Sequence, residues 1–281
     1  MTTPLPSQPG FARLAAIDGL VMDGKATPPA ALLLDLNGVL FDEQGVVSGA
    51  VDSVREARGR GLAIRYVTNT ATRHHDSLRQ ELEAMGFPVQ PGELFTAPLA
   101  ALGWLERRQR RPFCLVHDAI APLFLELSAV EGGDGPDCVL LGDARDQLSY
   151  ANLNCALELL LDGAPLIGIG MNRRFREGGH WLLDAGAFIR ALEYGANCSA
   201  TVMGKPSPAF YRELVDSLGL QPGQCLMVGD DVEADVAGAM ACGLQAVLTQ
   251  TGKYRPDDRE LLPPGAGLIP SLAGLGELLG W

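Results

Sequence analysis

Four polar positions, each set just after an apolar run, have the types and order to do chemistry together. They are Asp35 after 31–34, Thr68 after 62–67, Lys205 after 202–204 and Asp230 after 225–229. Short apolar runs that end in a polar residue and a glycine turn read as buried parallel strands. In open α/β sheets, ligands sit beyond the carboxyl ends of such strands. A carboxylate, a hydroxyl, an ammonium and the acidic pair Asp230-Asp231 would then meet at one sheet edge, equipped to handle a phosphoryl group around a divalent cation. Asp35, Asp230, Asp231 and Asp235 would crowd negative charge there, and like carboxylates do not all stay ionised without compensation. Lys205 offsets one charge. A hard dication such as Mg²⁺, held by one or two carboxylates plus phosphate, offsets the rest. Taken singly, each signal has a plain reading. Asp231 and Asp235 could be helix caps, Thr68-Asn69-Thr70 a side-chain-bonded turn, and Lys205-Pro206 a solvated loop. Asp35 resists that treatment, because it interrupts a strand that is otherwise apolar.

The elements that must position these residues alternate between strand and helix periods, a β-α-β-α rhythm. Strands are expected at 31–36, 62–68, 113–116, 138–141, 166–169, 200–203, 225–228 and 245–248. Helices are expected near 50–60, 77–85, 151–161 and 233–242, with another opening at Ser207-Pro208, a cap followed by proline in the first turn. The chemistry lies before residue 70 and after residue 204. The reading is therefore an α/β protein: a doubly wound, Rossmann-like parallel-sheet core over 31–95 and 191–281, with an α/β cap inserted at 96–190. Residues 1–30, rich in Pro, Ala and Gly around an amphipathic piece at 11–22, read as an N-terminal extension.

Bulk properties narrow the function classes. The 281 residues are 47% hydrophobic and 20% charged, ordinary for a globular enzyme, and the length allows two domains. With 34 acidic against 22 basic residues the net charge is −12, so the basic footprint of a nucleic-acid binder is missing. Six cysteines show no C-x-x-C pair or zinc spacing and fit reduced thiols in the cytoplasm. The first ten residues lack the pattern of a signal peptide, and no apolar run approaches the roughly 20 residues of a membrane span.

Asp35-Leu36-Asn37-Gly38-Val39-Leu40, Thr68-Asn69, Gly204-Lys205-Pro206 and Gly229-Asp230-Asp231 resemble the four motifs of the haloacid dehalogenase superfamily of phosphohydrolases. The insertion between the second and third motifs resembles its type IIA cap. Segments 160–167, 191–194 and 251–255 resemble the subgroup that includes phospholysine phosphohistidine inorganic pyrophosphate phosphatase and its hydrolase-domain relative. The resemblance implies Asp35 as a nucleophile that forms an aspartyl-phosphate. It implies Thr68 and Asn69 on the phosphoryl oxygens, and Lys205 neutralising charge on phosphate and Asp35. Mg²⁺ would be held by Asp35, Asp230 and the backbone carbonyl of Asn37, with Asp231 and Asp235 behind them holding a water or Lys205.

One position departs from the pattern. Most phosphatases of the superfamily carry a second aspartate two residues after the nucleophile, acting as general acid and base. Here that position, beside the substrate, is Asn37, whose amide cannot deliver a proton. Losing such a catalyst costs about 10²–10⁴-fold in rate. The similar subgroup also lacks an acid there, with a serine instead. The expected activity is hydrolysis of a small phosphorylated substrate whose leaving group needs little acid assistance: a phosphoamide, pyrophosphate or aryl phosphate.

The rival from another class is a phosphoryl-binding or regulatory protein with little turnover. A phosphorylated receiver module would place its acidic pair early in the chain, and a dehalogenase would need neither Mg²⁺ nor the acidic pair. Among other residues, Arg173, Arg174 and Arg176 cluster with Phe175 in the presumed cap, either as a grip for an anionic substrate, Arg173 first, or as a solvated loop. His74-His75 reads as a solvated first helical turn before a base or a zinc ligand. Pairing of caps into a homodimer is left open.

Overall fold

Apolar runs that alternate with helical periods need layers to bury them, and the strands supply one. In the computed structural model, which describes residues 28–128 and 135–281, the strands in chain order are β1 Ala31–Asp35, β2 Phe41–Asp42, β3 Gly45–Val46, β4 Ala63–Thr68, β5 Leu94–Thr96, β6 Pro112–Leu115, β7 Cys138–Leu141, β8 Leu166–Gly168, β9 Arg174–Glu177, β10 His180–Leu183, β11 Thr201–Val202, β12 Cys225–Gly229, β13 Gln245–Thr249 and β14 Gly267–Ile269. The amphipathic piece expected at 11–22 lies outside the described residues. Two compact units emerge: the described residues up to Ile64 with Leu220–Trp281, and Arg65–Gly219.

The first unit is built on a parallel sheet ordered β14-β13-β12-β1. Every residue of β1 and β12 is buried. Strands covered on both faces read as unbroken apolar runs rather than alternating ones, which is why these two stand out in the sequence. Burying a leucine such as Leu32, Leu33 or Leu34 contributes about 1.5–3 kcal/mol. The register pairs Leu32 with Leu226 and Leu34 with Val228, so the residues that follow emerge side by side at one edge. Helix Ala50–Gly59 turns Ala50, Val54 and Ala57 inward, the i, i+4, i+7 stripe of an amphipathic helix.

The helix expected over 233–242 forms as one unbroken run, opening with wide π-helical turns at Val232–Ala237 and continuing as α-helix at Gly238–Ala241. The carbonyl of Asp231 accepts from the N–H groups of both Asp235 (2.9 Å) and Val236 (3.3 Å), and the second bond widens the turn to an i→i+5 pattern.

The second unit contains the parallel pair β4–β5, with Thr68 opposite Thr96, and a separate four-stranded parallel sheet ordered β11-β8-β7-β6. Helices Tyr150–Leu161 and Ala185–Ala196 bury Ala156, Leu160, Ile189 and Leu192 against Val139, Leu141 and Leu166 of that sheet. Ser149 and Asp184 cap these helices through their side chains. Helix Pro208–Asp216 opens as its sequence predicts, with Ser207 Oγ accepting from Ala209 N–H at 3.2 Å. Its buried Glu213 meets Arg107 of helix Ala97–Arg107 in an ion pair.

The arginine cluster is neither a bare loop nor a helix. Arg174–Glu177 and His180–Leu183 form the antiparallel hairpin β9–β10, turned by Gly178-Gly179 with φ of 56° and 85°. Two consecutive positive φ values are what the tight primed hairpin turn demands, and glycine meets them without strain. The Gly-Gly pair between strand-like flanks was the signal for this hairpin.

Candidate active site

The acidic residues converge in the first unit. Asp35 ends β1 and is 8% exposed, while Asp230 directly follows β12 and is 1% exposed. The widened turn after β12 brings in Asp235, also 1% exposed. One carboxylate oxygen from each of the three lies within 4.8 Å of the others. Three hard oxygen donors without sulfur or imidazole match a hard dication, so this cluster could hold a metal ion.

Two glycines make room for the cluster. Gly38 (φ 81°) and Gly252 (φ 60°) flank Asp230, and a Cβ on either would run into its carboxylate. Gly229 serves Asp235 in the same way. Asp230 Oδ2 accepts from the Lys253 N–H at 2.8 Å. Asn37 lies exposed in the turn between β1 and β2, where Gly38 N–H donates to Phe41 O at 2.7 Å.

Asp231 and Lys253 form an outer layer. Asp231 Oδ1 accepts from the N–H groups of Glu233 (3.1 Å) and Ala234 (2.9 Å), and Oδ2 takes Lys253 Nζ at 3.3 Å. Asp231 N–H in turn donates to Asp235 Oδ2 at 3.2 Å. Burial alone would raise the Asp231 carboxyl, but the Ala234 N–H and the Lys253 ammonium outweigh it and hold the group below its ordinary range. Burial likewise works against the Lys253 ammonium. The carboxylates of Asp231 and Asp230, with Asp35 weaker, overcome it and hold the lysine above its ordinary value. Lys253 is thus a side-chain partner of Asp231 that the sequence did not suggest.

Lys253 went without a role in the sequence. The rule that found Asp230, a polar residue beyond an apolar strand, also finds Thr251-Gly252-Lys253 beyond β13.

In the second unit, Thr68 ends β4, is 4% exposed, and exchanges hydrogen bonds with Thr70: hydroxyl to hydroxyl at 2.9 Å and Thr70 N–H to Thr68 Oγ1 at 3.2 Å. Asn69 clamps a residue 136 positions away. Its Nδ2 donates to Lys205 O at 3.0 Å, and Lys205 N–H donates to its Oδ1 at 2.8 Å. Gly204 permits the approach, since a Cβ there would stand 3.3 Å from Asn69 Oδ1. Lys205 itself is 9% exposed.

Arg173 is exposed at the entry to β9, its carbonyl accepting from Asp184 N–H at 3.2 Å. Arg174 and Arg176 lie over the Trp181 ring, 4.8 and 6.0 Å from its centre. The histidines form a helix start: His74 Nδ1 accepts from Asp76 N–H at 3.3 Å, although His74, His75 and Asp76 also bring ligand atoms within 4.8 Å of one another. Among the described residues no helix is long and apolar enough to cross a membrane.

Comparison with known proteins agrees with this geometry. Residues 32–127 match the haloacid dehalogenase-like hydrolase family, and residues 202–275 match a second family of that type, described as HAD-hydrolase-like. The chain is 40% identical over 237 residues to phospholysine phosphohistidine inorganic pyrophosphate phosphatase of Xenopus laevis, covering 82% of this chain and 86% of that one. It is 39% identical over 234 residues to human haloacid dehalogenase-like hydrolase domain-containing protein 2, covering 83% and 89%. The fold is shared with the 4-nitrophenylphosphatase of Thermotoga maritima, at a TM-score of 0.76, 21% identity and coverage of 93% and 98%. It is also shared with the p-nitrophenyl phosphatase of Archaeoglobus fulgidus, at a TM-score of 0.77, 23% identity and coverage of 89% and 99%. The chain belongs to the haloacid dehalogenase-like hydrolases, as a phosphatase of that family.

Proposed function

We propose that this phosphatase is Mg²⁺-dependent and cleaves small phosphorylated substrates through an aspartyl-phosphate on Asp35. The observation that carries the reading is the buried triad of Asp35, Asp230 and Asp235, all oxygen donors within 4.8 Å. An Asp35 oxygen attacks phosphorus, the bond to the leaving group breaks, and its electron pair departs with that group. Water then attacks the same phosphorus, releases inorganic phosphate and restores the carboxylate. Bound Mg²⁺ would be held by Asp35, Asp230 and the Asn37 carbonyl, with Asp235 as a further oxygen donor, and would neutralise charge on the phosphoryl oxygens.

Thr68 and Asn69 are assigned to the phosphoryl oxygens, the Asn69 side chain acting through its clamp on Lys205. Lys205 supplies the positive charge, and Asp231 stands behind the metal ligands. Residues 96–190 are assigned as the cap that selects substrate, with Arg173 among its anion contacts. Six free cysteines fit the reducing cytoplasm expected from the sequence.

Asn37 shapes the substrate class. With no acid beside the leaving group, good leaving groups are favoured: phosphoamide, pyrophosphate or aryl phosphate. The names of the similar proteins, with pyrophosphate in one and nitrophenyl phosphate in another, agree. Asn37→Asp should raise the ratio of alkyl-phosphate to aryl-phosphate rates by at least about tenfold; an unchanged ratio would remove this account of specificity.

Asn37 also sustains the second reading, a phosphoryl-binding protein with little turnover. The deciding measurement is phosphate release from p-nitrophenyl phosphate, pyrophosphate and a phosphoamide, with Mg²⁺ and with EDTA. Release that requires Mg²⁺ and exceeds an Asp35→Asn control supports the hydrolase. Release no higher than the control sinks it in favour of the binder.

A further inference from the structure

The turn after β13 reaches the acidic cluster at two points, and Lys253 makes both contacts. Its backbone N–H holds Asp230 Oδ2 at 2.8 Å. Its ammonium, 3.3 Å from Asp231 Oδ2, fixes the residue whose other oxygen caps Glu233 and Ala234 and whose N–H holds Asp235 Oδ2. The turn is tied down behind them: Thr251 Oγ1 donates to Thr249 Oγ1 at 2.9 Å, and Thr249 Oγ1 donates to Gly229 O at 3.3 Å. Gly252 lets the turn lie against Gly38 and Asp230 without a clash.

Composition adds an independent observation. The chain has three lysines, Lys25, Lys205 and Lys253, against nineteen arginines. Arginine makes the surface pairs, as at Arg60–Glu56, Arg79–Glu83 and Arg145–Glu177. A compact ammonium at 253 suits a reach to one carboxylate oxygen, which a flat guanidinium fork matches poorly.

We propose that Lys253 is a positioning residue for the metal-binding carboxylates, its backbone N–H holding Asp230 and its side chain, the part the test removes, holding Asp235 through Asp231. The proposal rests on the Mg²⁺ reading above. It concerns an outer layer whose partners orient the groups that bind metal, and loss of such partners costs about 10–100-fold in metal affinity. A purely electrostatic role predicts the opposite sign. Removing a cation beside these carboxylates strengthens their pull on a dication.

The test titrates Mg²⁺ alone into the full-length, metal-free chain by calorimetry, for wild type, Lys253→Met, Lys253→Arg, Asp231→Asn and the Lys253→Met/Asp231→Asn double variant. Lys253 is 67% exposed, so the metal-free Lys253→Met protein should melt within about 2 °C of wild type. Its Mg²⁺ affinity should fall about tenfold. Lys253→Arg should recover only a minor part of that loss, because its flat fork matches a single carboxylate oxygen poorly, and the double variant should be no weaker than the weaker single variant, because both act through one contact. Unchanged or tighter Mg²⁺ binding by Lys253→Met overturns the proposal, as do additive losses in the double variant. A wild type that binds no Mg²⁺ overturns the functional reading instead, so the two failures are distinguishable.

Discussion

Asp35→Asn should leave a folded protein that releases no phosphate above background. The substitution keeps the shape of the side chain and removes the attacking oxygen's charge, so kcat should fall at least about 10⁴-fold, as it does when other nucleophiles are removed. Its stability should move the other way. Asp35 shares its pocket with Asp230 and Asp235, and two like charges at about 4 Å repel by about 1 kcal/mol in water and about 4 kcal/mol at a surface-like dielectric. Relieving one charge should hold or raise the melting temperature of the metal-free protein. Loss of activity together with a raised or equal melting temperature identifies a residue kept for chemistry against stability. Turnover by Asp35→Asn within tenfold of wild type would end the aspartyl-phosphate mechanism.

Gly38→Ala should damage the site more than the fold. Gly38 holds φ at 81°, and a Cβ there meets the Asp230 carboxylate and comes within 2.8 Å of Gly252 Cα. A residue forced into that conformation costs about 1–3 kcal/mol, and displacing Asp230 by about 1 Å is enough to lose about 100-fold in rate. We expect kcat/KM to drop by at least about 100-fold, with the Mg²⁺ concentration for half activity rising. Gly45→Ala is the control. Its φ is 119°, yet no atom lies within 4 Å of the added carbon, so it should lose stability and keep activity. Steady-state kinetics across a Mg²⁺ series, with urea unfolding of each variant, separates strain from collision. Gly38→Ala with wild-type kinetics would show that Asp230 does not need this cradle.

How much of this was legible beforehand depends on the physical origin of each signal. β1, β12 and β13 announce themselves because parallel strands buried on both faces are written as apolar runs. Asp35 and Asp230 stand out for the same reason, as polar residues at the ends of such runs. The helix at Pro208–Asp216 was legible from a local cap, Ser207, and from Pro208. The hairpin β9–β10 was harder to read, since its residues are mostly exposed and carry no burial pattern. The widening of the first turns of the helix after Asp230 was also hidden, because it depends on which N–H groups the Asp231 carbonyl accepts.

The buried strands such as β1, β12 and β13, the identity of the acidic residues and the absence of an acid at Asn37 are properties of the chain read in one dimension, because each rests on local apolar patterning or residue type. The placing of an Asp235 oxygen level with those of Asp35 and Asp230 instead of behind them, the clamp of Asn69 on Lys205 across 136 residues, and the two contacts of Lys253 are of another kind. They depend on packing between strands distant in sequence and on two glycines that leave room for a carboxylate, and close approach of that sort has no signature until the backbone is folded. Type and spacing named the chemistry. Distance showed which of the carboxylates meet.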